Sequence, residues 1–134
     1  VLCNHVLTPA AIRAIMECGQ APPLDGFVGP GHVSTMIGAD AYAPAAELYQ
    51  KPIAIAGFEP IDLLDAILRL VRQVNAGQAR VENAYARAAP QSANRVAMDM
   101  IDQTMTVRDN FAFRSAPCAS TTTLQIWTPK SASL

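Results

Sequence analysis

The residues best suited to chemistry follow a short apolar stretch, residues 26–28, in the first quarter of the chain. They combine a Gly-Pro-Gly segment with an imidazole and two hydroxyls, and they are Gly29, Pro30, Gly31, His32, Ser34 and Thr35. Glycine tolerates positive φ and close approach of other groups, and proline stiffens a turn. An imidazole can donate, accept or bind metal near neutral pH. His32 is therefore a candidate catalytic residue; the alternative is a histidine that only hydrogen-bonds the turn.

A second junction repeats this design after the apolar run 52–56. It places carboxylates beside an aromatic ring, and its residues are Gly57, Phe58, Glu59, Pro60 and Asp62. Pro60 suits the first position of a helix, and both carboxylates complement the positive end of the helix dipole. Glu59 is a candidate acid/base or hydrogen-bond anchor, or else a helix-start carboxylate alone. Asp62 is expected to be a first-turn carboxylate and little more.

The elements around these junctions must bring them together. If the two apolar runs are neighbouring parallel strands, both junctions lie at the carboxyl edge of one sheet, where open α/β sheets bind their ligands. We call this edge, formed by residues 29–35 and 57–62, the rim. Asn4 and His5 follow another apolar run, so they either reach the same rim or form a surface turn.

Apolar strands alternate with amphipathic helices along the chain. The best-defined helix is Pro60–Asn75, whose apolar residues at helical spacing include Ile61, Leu64, Ile67, Leu68 and Val71. Strands are predicted at 1–3, 26–28 and 53–56, with strand or bridge segments at 106–107 and 111–113; further helices are predicted from Thr8, near 43–50, over 79–88 and over 92–105. This order predicts a single α/β domain with a small parallel, Rossmann-like sheet flanked by helices.

Composition excludes several classes of function. The 134 residues suffice for one domain, with 51% hydrophobic and 16% charged residues and a net charge of −1, so neither disorder nor a nucleic-acid partner is expected. No apolar run is long enough for a membrane span, and no signal peptide is evident. The spacing Gly29-x-Gly31-x-x-Ser34 lacks the third glycine of a dinucleotide loop. Cys3, Cys18 and Cys118 have no metal-site spacing. Cys3 and Cys18 lie among apolar neighbours, which favours buried, inert thiols and a cytoplasmic protein.

Three segments together resemble one family. The run Gly26–Thr35, the run Ala56–Asp62 with the leucine-rich helix behind it, and Val81–Tyr85 are similar to the hydrogenase maturation protein family HypD, over roughly residues 1–114. The resemblance implies a scaffold on which the iron–dicyanide–carbonyl centre of nickel–iron hydrogenase is assembled, together with a small chaperone. It also implies that the rim is one wall of an interdomain cleft.

The resemblance further implies a cysteine pair and a [4Fe–4S] cluster that belong to other parts of the full-length protein. No cofactor and no metal site are therefore expected in this chain, and no enzymatic activity on its own. The leading hypothesis is a HypD-like domain fragment that docks a partner or ligand at the rim. The alternatives are a stand-alone small-molecule-binding or enzymatic domain using His32 and Glu59, and a remnant without function. Surfaces covered by other domains in the family would be bare here, which predicts a homodimer.

Residues 115–134 depart from the family pattern. They are rich in serine and threonine, and a frameshift is one explanation, which the third bases of the coding DNA would decide. Thr122–Trp127 nevertheless predicts a strand, because β-branched and aromatic residues fit a pleated sheet.

Overall fold

The computed structural model describes residues 5–17, 23–113 and 122–130. Asn4, Cys3, Cys18 and Cys118, for which we made predictions above, lie outside the described residues. The chain divides into two compact units. One consists of Pro23–Met98, and the other combines Val1–Pro22 with Asp99–Leu134.

Six strands and five α-helices, with one short 3-10 helix, make up the described residues. In chain order they are β1 (His5–Val6), α1 (Thr8–Glu17), β2 (Phe27–Pro30), α2 (Gly31–Ile37), the 3-10 helix Asp40–Tyr42, α3 (Ala43–Tyr49), β3 (Ile53–Ala56), α4 (Pro60–Asn75), β4 (Val81–Asn83), α5 (Arg95–Thr104), β5 (Met105–Phe113) and β6 (Thr122–Pro129). None of the helices within these ranges is long and apolar enough to cross a membrane.

The unit Pro23–Met98 is built on a three-stranded parallel sheet in the order β2-β3-β4. Phe27 pairs with Ile53, and Ile53 pairs with Val81 on its other side. Every residue of β3 is buried, as expected for a central parallel strand covered on both faces. Ala66 and Leu70 of α4 pack against its alanines. The predicted α/β class with a small parallel sheet flanked by helices is confirmed.

The Gly-Pro-Gly segment does not form the expected break. β2 continues through Gly29 and Pro30, and α2 begins directly at Gly31. Among the described glycines, the positive φ angles belong to Gly38, which ends α2, and Gly77, which follows α4. At Gly31 a glycine is needed because the backbone of β3 comes too close for a side chain: a Cβ there would lie 2.5 Å from the carbonyl oxygen of Ala56.

The prediction of a helix over residues 79–88 is wrong. Val81–Asn83 forms β4, and turns follow it. The side chain of Asn83 holds these turns: its Nδ2 donates to the carbonyl of Ala89 at 2.8 Å, and its Oδ1 accepts from the Tyr85 N–H at 2.9 Å. Pairing with β3 and this local bonding outweigh the modest helix propensity of the segment.

The apolar stripe of α4 does not face the core. The side of α4 that is buried carries Asp62, Ala66 and Gln73. The large apolar residues of the helix lie exposed, namely Ile61, Leu63, Leu64, Ile67, Leu68, Val71 and Val74. Helical periodicity therefore identified an apolar face of α4 that is not the one in contact with the sheet.

The second unit contains an antiparallel sheet in the order β1-β6-β5. His5 pairs with Trp127, so β1 joins β6 in an antiparallel ladder instead of following a strand of the parallel sheet. The strand predicted at 122–127 is confirmed as β6, which pairs with β5. The strands predicted at 106–107 and 111–113 are parts of β5.

The close approach at Gly31 makes a testable prediction. Gly31→Ala should lower the free energy of unfolding by about 1–3 kcal/mol, because the added methyl meets backbone that cannot yield. Urea denaturation followed by circular dichroism measures the change. Gly77→Asn is the matched control: nothing lies within 4 Å of a Cβ there, and asparagine tolerates positive φ. Equal stability losses in the two variants would contradict the packing explanation.

Candidate functional site

His32 lies in the first turn of α2 with its ring exposed to solvent. The neighbouring hydroxyls are used within the helix. Ser34 is buried and its Oγ donates to the carbonyl of Pro30 at 2.9 Å, and the Oγ1 of Thr35 donates to the carbonyl of His32 at 2.6 Å. These bonds brace the helix start and leave the imidazole as the exposed polar group of this junction.

The second junction reaches the same edge of the sheet. Phe58 follows β3 and is 71% exposed, and its ring centroid lies 5.2 Å from that of His32 at an interplanar angle of 39°. Because β2 and β3 are parallel neighbours, their carboxyl ends bring the two junctions together, as predicted. Phe58 is therefore an exposed aromatic ring held beside an imidazole at the rim.

Glu59 precedes Pro60, the first residue of α4, and its carboxylate is exposed. Glu59 Oε2 lies 3.4 Å from Nη2 of Arg87. Among the described residues, the ring contact of His32 is thus with Phe58, while Glu59 forms an ion pair with a residue that we did not single out from the sequence.

Asp62 has a larger role than expected. Its carboxylate, 6% exposed, accepts two hydrogen bonds from Arg87, each 2.6 Å long. Such bidentate pairs fix geometry as well as adding energy. Asp62 also accepts from the backbone N–H of Glu59, which is the return half of a capping box. The expectation that Asp62 is little more than a first-turn carboxylate is therefore wrong.

The pair changes the protonation of both groups. Hydrogen bonds from Arg87 hold the pKa of the Asp62 carboxyl below its usual value, against the opposing effect of burial, and the positive charge of Arg87 and the Glu59 N–H add to the lowering. The same hydrogen bonds raise the pKa of Arg87. Both groups are consequently charged at neutral pH.

Tyr85 fills the space between the two junctions. A Cβ on Gly31 would lie 2.6 Å from Tyr85 Cδ1, and a Cβ on Gly57 would lie 2.6 Å from Tyr85 Cε2. The guanidinium carbon of Arg87 lies over the Tyr85 ring, 4.6 Å from its centroid, which is a favourable cation–π geometry. Gly31 and Gly57 thus leave the space that the Tyr85 ring occupies.

Sequence reasoning missed Arg87 and the role of Tyr85. The sequence held only indirect signals of Tyr85. The glycines at both junctions are consistent with a bulky neighbouring side chain, and Val81–Tyr85 is one of the segments that carry the family resemblance. Nothing in the spacing of Asp62 and Arg87, 25 residues apart, indicates that they pair.

The described residues contain no group of three or more His, Cys, Asp or Glu side chains placed to hold a metal ion. A [4Fe–4S] cluster takes four cysteine thiolates, whereas this sequence has three cysteines.

Comparison with known proteins identifies the family. The sequence model HypD, described as "Hydrogenase formation hypA family", matches residues 1–129. This chain belongs to the HypD family. The match runs beyond Arg114, where the resemblance in the sequence motifs ends.

Curated HypD proteins are similar to the chain over most of its length. It is 48% identical to the hydrogenase expression/formation protein HupD of Azotobacter chroococcum mcd 1 over 130 residues, which is 94% of this chain and 34% of that protein. The hydrogenase maturation factor HypD of Azotobacter vinelandii is 48% identical over the same shares, and that of Escherichia coli is 37% identical over 84% of this chain and 30% of its own length. The chain spans about a third of the length of these relatives.

The Asp62–Arg87 pair predicts how stability depends on pH. Because the pKa of Asp62 is lowered in the folded state, its contribution is fully present above the unfolded value of about 3.9 and is lost as pH falls through the folded value. In Asp62→Asn, the free energy of unfolding should therefore fall less steeply than in the wild type as pH decreases from about 5 to about 2. We call this part of the pH dependence the acid limb.

Denaturant titrations at several pH values measure this slope. Asp25→Asn, at an exposed position before β2, is the control and should leave the acid limb unchanged. An acid limb in Asp62→Asn as steep as that of the wild type would mean that the Arg87 pair contributes nothing to acid stability.

Proposed function

We propose that this chain is a docking domain of hydrogenase maturation that holds a partner or ligand at the rim and has no catalytic activity of its own. The observation that supports it best is the ring contact between His32 and Phe58, which joins the two junctions at an exposed edge. Exposed aromatic residues of this kind are frequent anchors of protein interfaces.

The proposed partner is a small hydrogenase-assembly chaperone, and the proposed process is assembly of the iron–cyanide–carbonyl cofactor, with iron as cargo. Membership of the HypD family and the names of the curated relatives support this assignment. Neither a nucleic acid nor a membrane is proposed as a partner, and the proposed location is the cytoplasm. The chain is proposed to carry no cofactor of its own, since its cysteines do not make up a cluster ligand set.

The rim offers chemistry suited to such docking. Phe58 supplies apolar area, His32 supplies an imidazole that can donate or accept, and Glu59 supplies an exposed negative charge. The Asp62–Arg87 pair and Tyr85 support this surface from below. A site preorganised in this way loses less conformational entropy on binding than a flexible one.

We also propose that the chain forms a homodimer. The exposed apolar side chains of α4 support this, because contiguous apolar surface favours association.

An amide NMR titration with the chaperone, with and without ferrous iron, tests the docking proposal. Shifts should cluster at residues 29–35 and 57–62. Phe58→Ala should weaken binding about 30-fold, the loss of an interface hot spot of about 2 kcal/mol, and His32→Ala should weaken it less. Leu48→Ala, at an exposed apolar residue of α3, is the matched control and should bind as the wild type does.

Two outcomes would contradict the proposal. A folded spectrum that does not change at any chaperone concentration would exclude docking to this chain. Binding with shifts outside the rim, and equal affinity for wild type and Phe58→Ala, would exclude the rim as the docking surface. Shifts at His32 and Glu59 on adding small molecules alone would instead favour a stand-alone ligand-binding or enzymatic domain.

A further inference from the structure

The outward face of α4 has the pattern of a helix–helix seam. Ile61, Leu64, Leu68 and Val71 repeat with spacings of three and four residues, and all four are exposed, from 46% for Leu68 to 78% for Ile61. This is the seven-residue repeat by which two helices pack with knobs in holes. The sheet contacts of α4 use its other side, where Ala66 and Leu70 lie, so the seam is not part of the core of this unit.

The two flanks of the seam differ in character. One flank carries exposed apolar side chains, Ile67 and Val74. The other carries charges of opposite sign, Asp65 in the first half of the helix and Arg72 in its last turn. Arg72 is exposed and forms no ion pair with any described residue, whereas Asp65 pairs with Arg69 in its own helix at 2.9 Å.

We propose that a second copy of this chain docks on this seam, with the two α4 helices antiparallel about a two-fold axis. In an antiparallel pair, equivalent flanks of the two helices meet. Asp65 of each copy then lies near Arg72 of the other, twice by symmetry, and Ile67 and Val74 meet their counterparts on the opposite flank. In the antiparallel arrangement, the charges along one α4 helix thus face opposite charges on the other.

A parallel pair fits less well. It would set the charged flank of one helix against the apolar flank of the other, so that Arg72 loses water without gaining a partner, which is costly. Opposed helix dipoles also favour the antiparallel direction. The charges place Leu68 opposite Val71 of the second copy at the centre of the seam.

The seam predicts a weak dimer. Pairing Asp65 with Arg72 leaves roughly twelve residues of each helix in overlap, about 18 Å of length, which is small beside a standard interface of about 800 Å² per partner. Sedimentation equilibrium from about 5 μM to about 1 mM should show a monomer that becomes a dimer as concentration rises. Leu68→Asp should remain monomeric throughout, and Leu48→Asp, at an exposed residue of α3, should dimerise as the wild type does.

The charge pairs give the sharper test. Asp65→Lys and Arg72→Glu each place like charges opposite one another in a homodimer, so each variant alone should dimerise at least tenfold more weakly. An equimolar mixture restores both pairs and should associate about as tightly as the wild type. Circular dichroism of each variant confirms that it is folded.

The outcomes separate this proposal from chaperone docking. A wild type that stays monomeric over the whole range, or a mixture that associates no better than its components, overturns the antiparallel seam. The inference rests on the proposed homodimer. Ile61 belongs to both the seam and the rim, but the variants that test the seam change residues 65, 68 and 72, which lie outside the rim, so chaperone binding can fail while this test succeeds, and the reverse.

Discussion

The rim depends on one interaction, the bidentate pair between Asp62 and Arg87. It ties the first turn of α4 to the turns that follow β4, and it places the Arg87 guanidinium over Tyr85. Tyr85 in turn lies against the sites where Gly31 and Gly57 have no side chain. These glycines begin the two junctions that present His32 and Phe58. The salt bridge between half-exposed Arg87 and buried Asp62 thereby fixes the geometry of the rim.

The same helix serves two purposes through different faces. Its inward side combines alanine with a carboxylate and an amide: Ala66 packs on the sheet, Asp62 anchors Arg87, and Gln73 accepts a hydrogen bond from the Arg80 N–H. Small and polar side chains on that side let α4 lie close to β3. The large aliphatic residues are left on the outward side, where they gain nothing from the core of this unit and are available for association.

Elements with a strong local signal could be predicted from the sequence. The continuous apolar run of β3 and the proline-started helix α4 agree with the structure, and the convergence of two junctions follows from parallel pairing alone. The strand β4 could not be predicted, because its pairing with β3 decides its conformation. The role of Asp62 could not be predicted either, since its partner is distant in sequence. Periodicity showed that α4 has an apolar face but not which face the sheet covers.

The most direct measurement is a comparison of amide and aromatic NMR spectra of the wild type and Tyr85→Ala. If Tyr85 transmits the Asp62–Arg87 pair to the rim, removing its ring should shift the resonances of Gly31, His32 and Phe58 while leaving α3 unchanged. Shifts confined to residues 84–88 would contradict the account, because the two junctions would then hold their geometry without the ring between them.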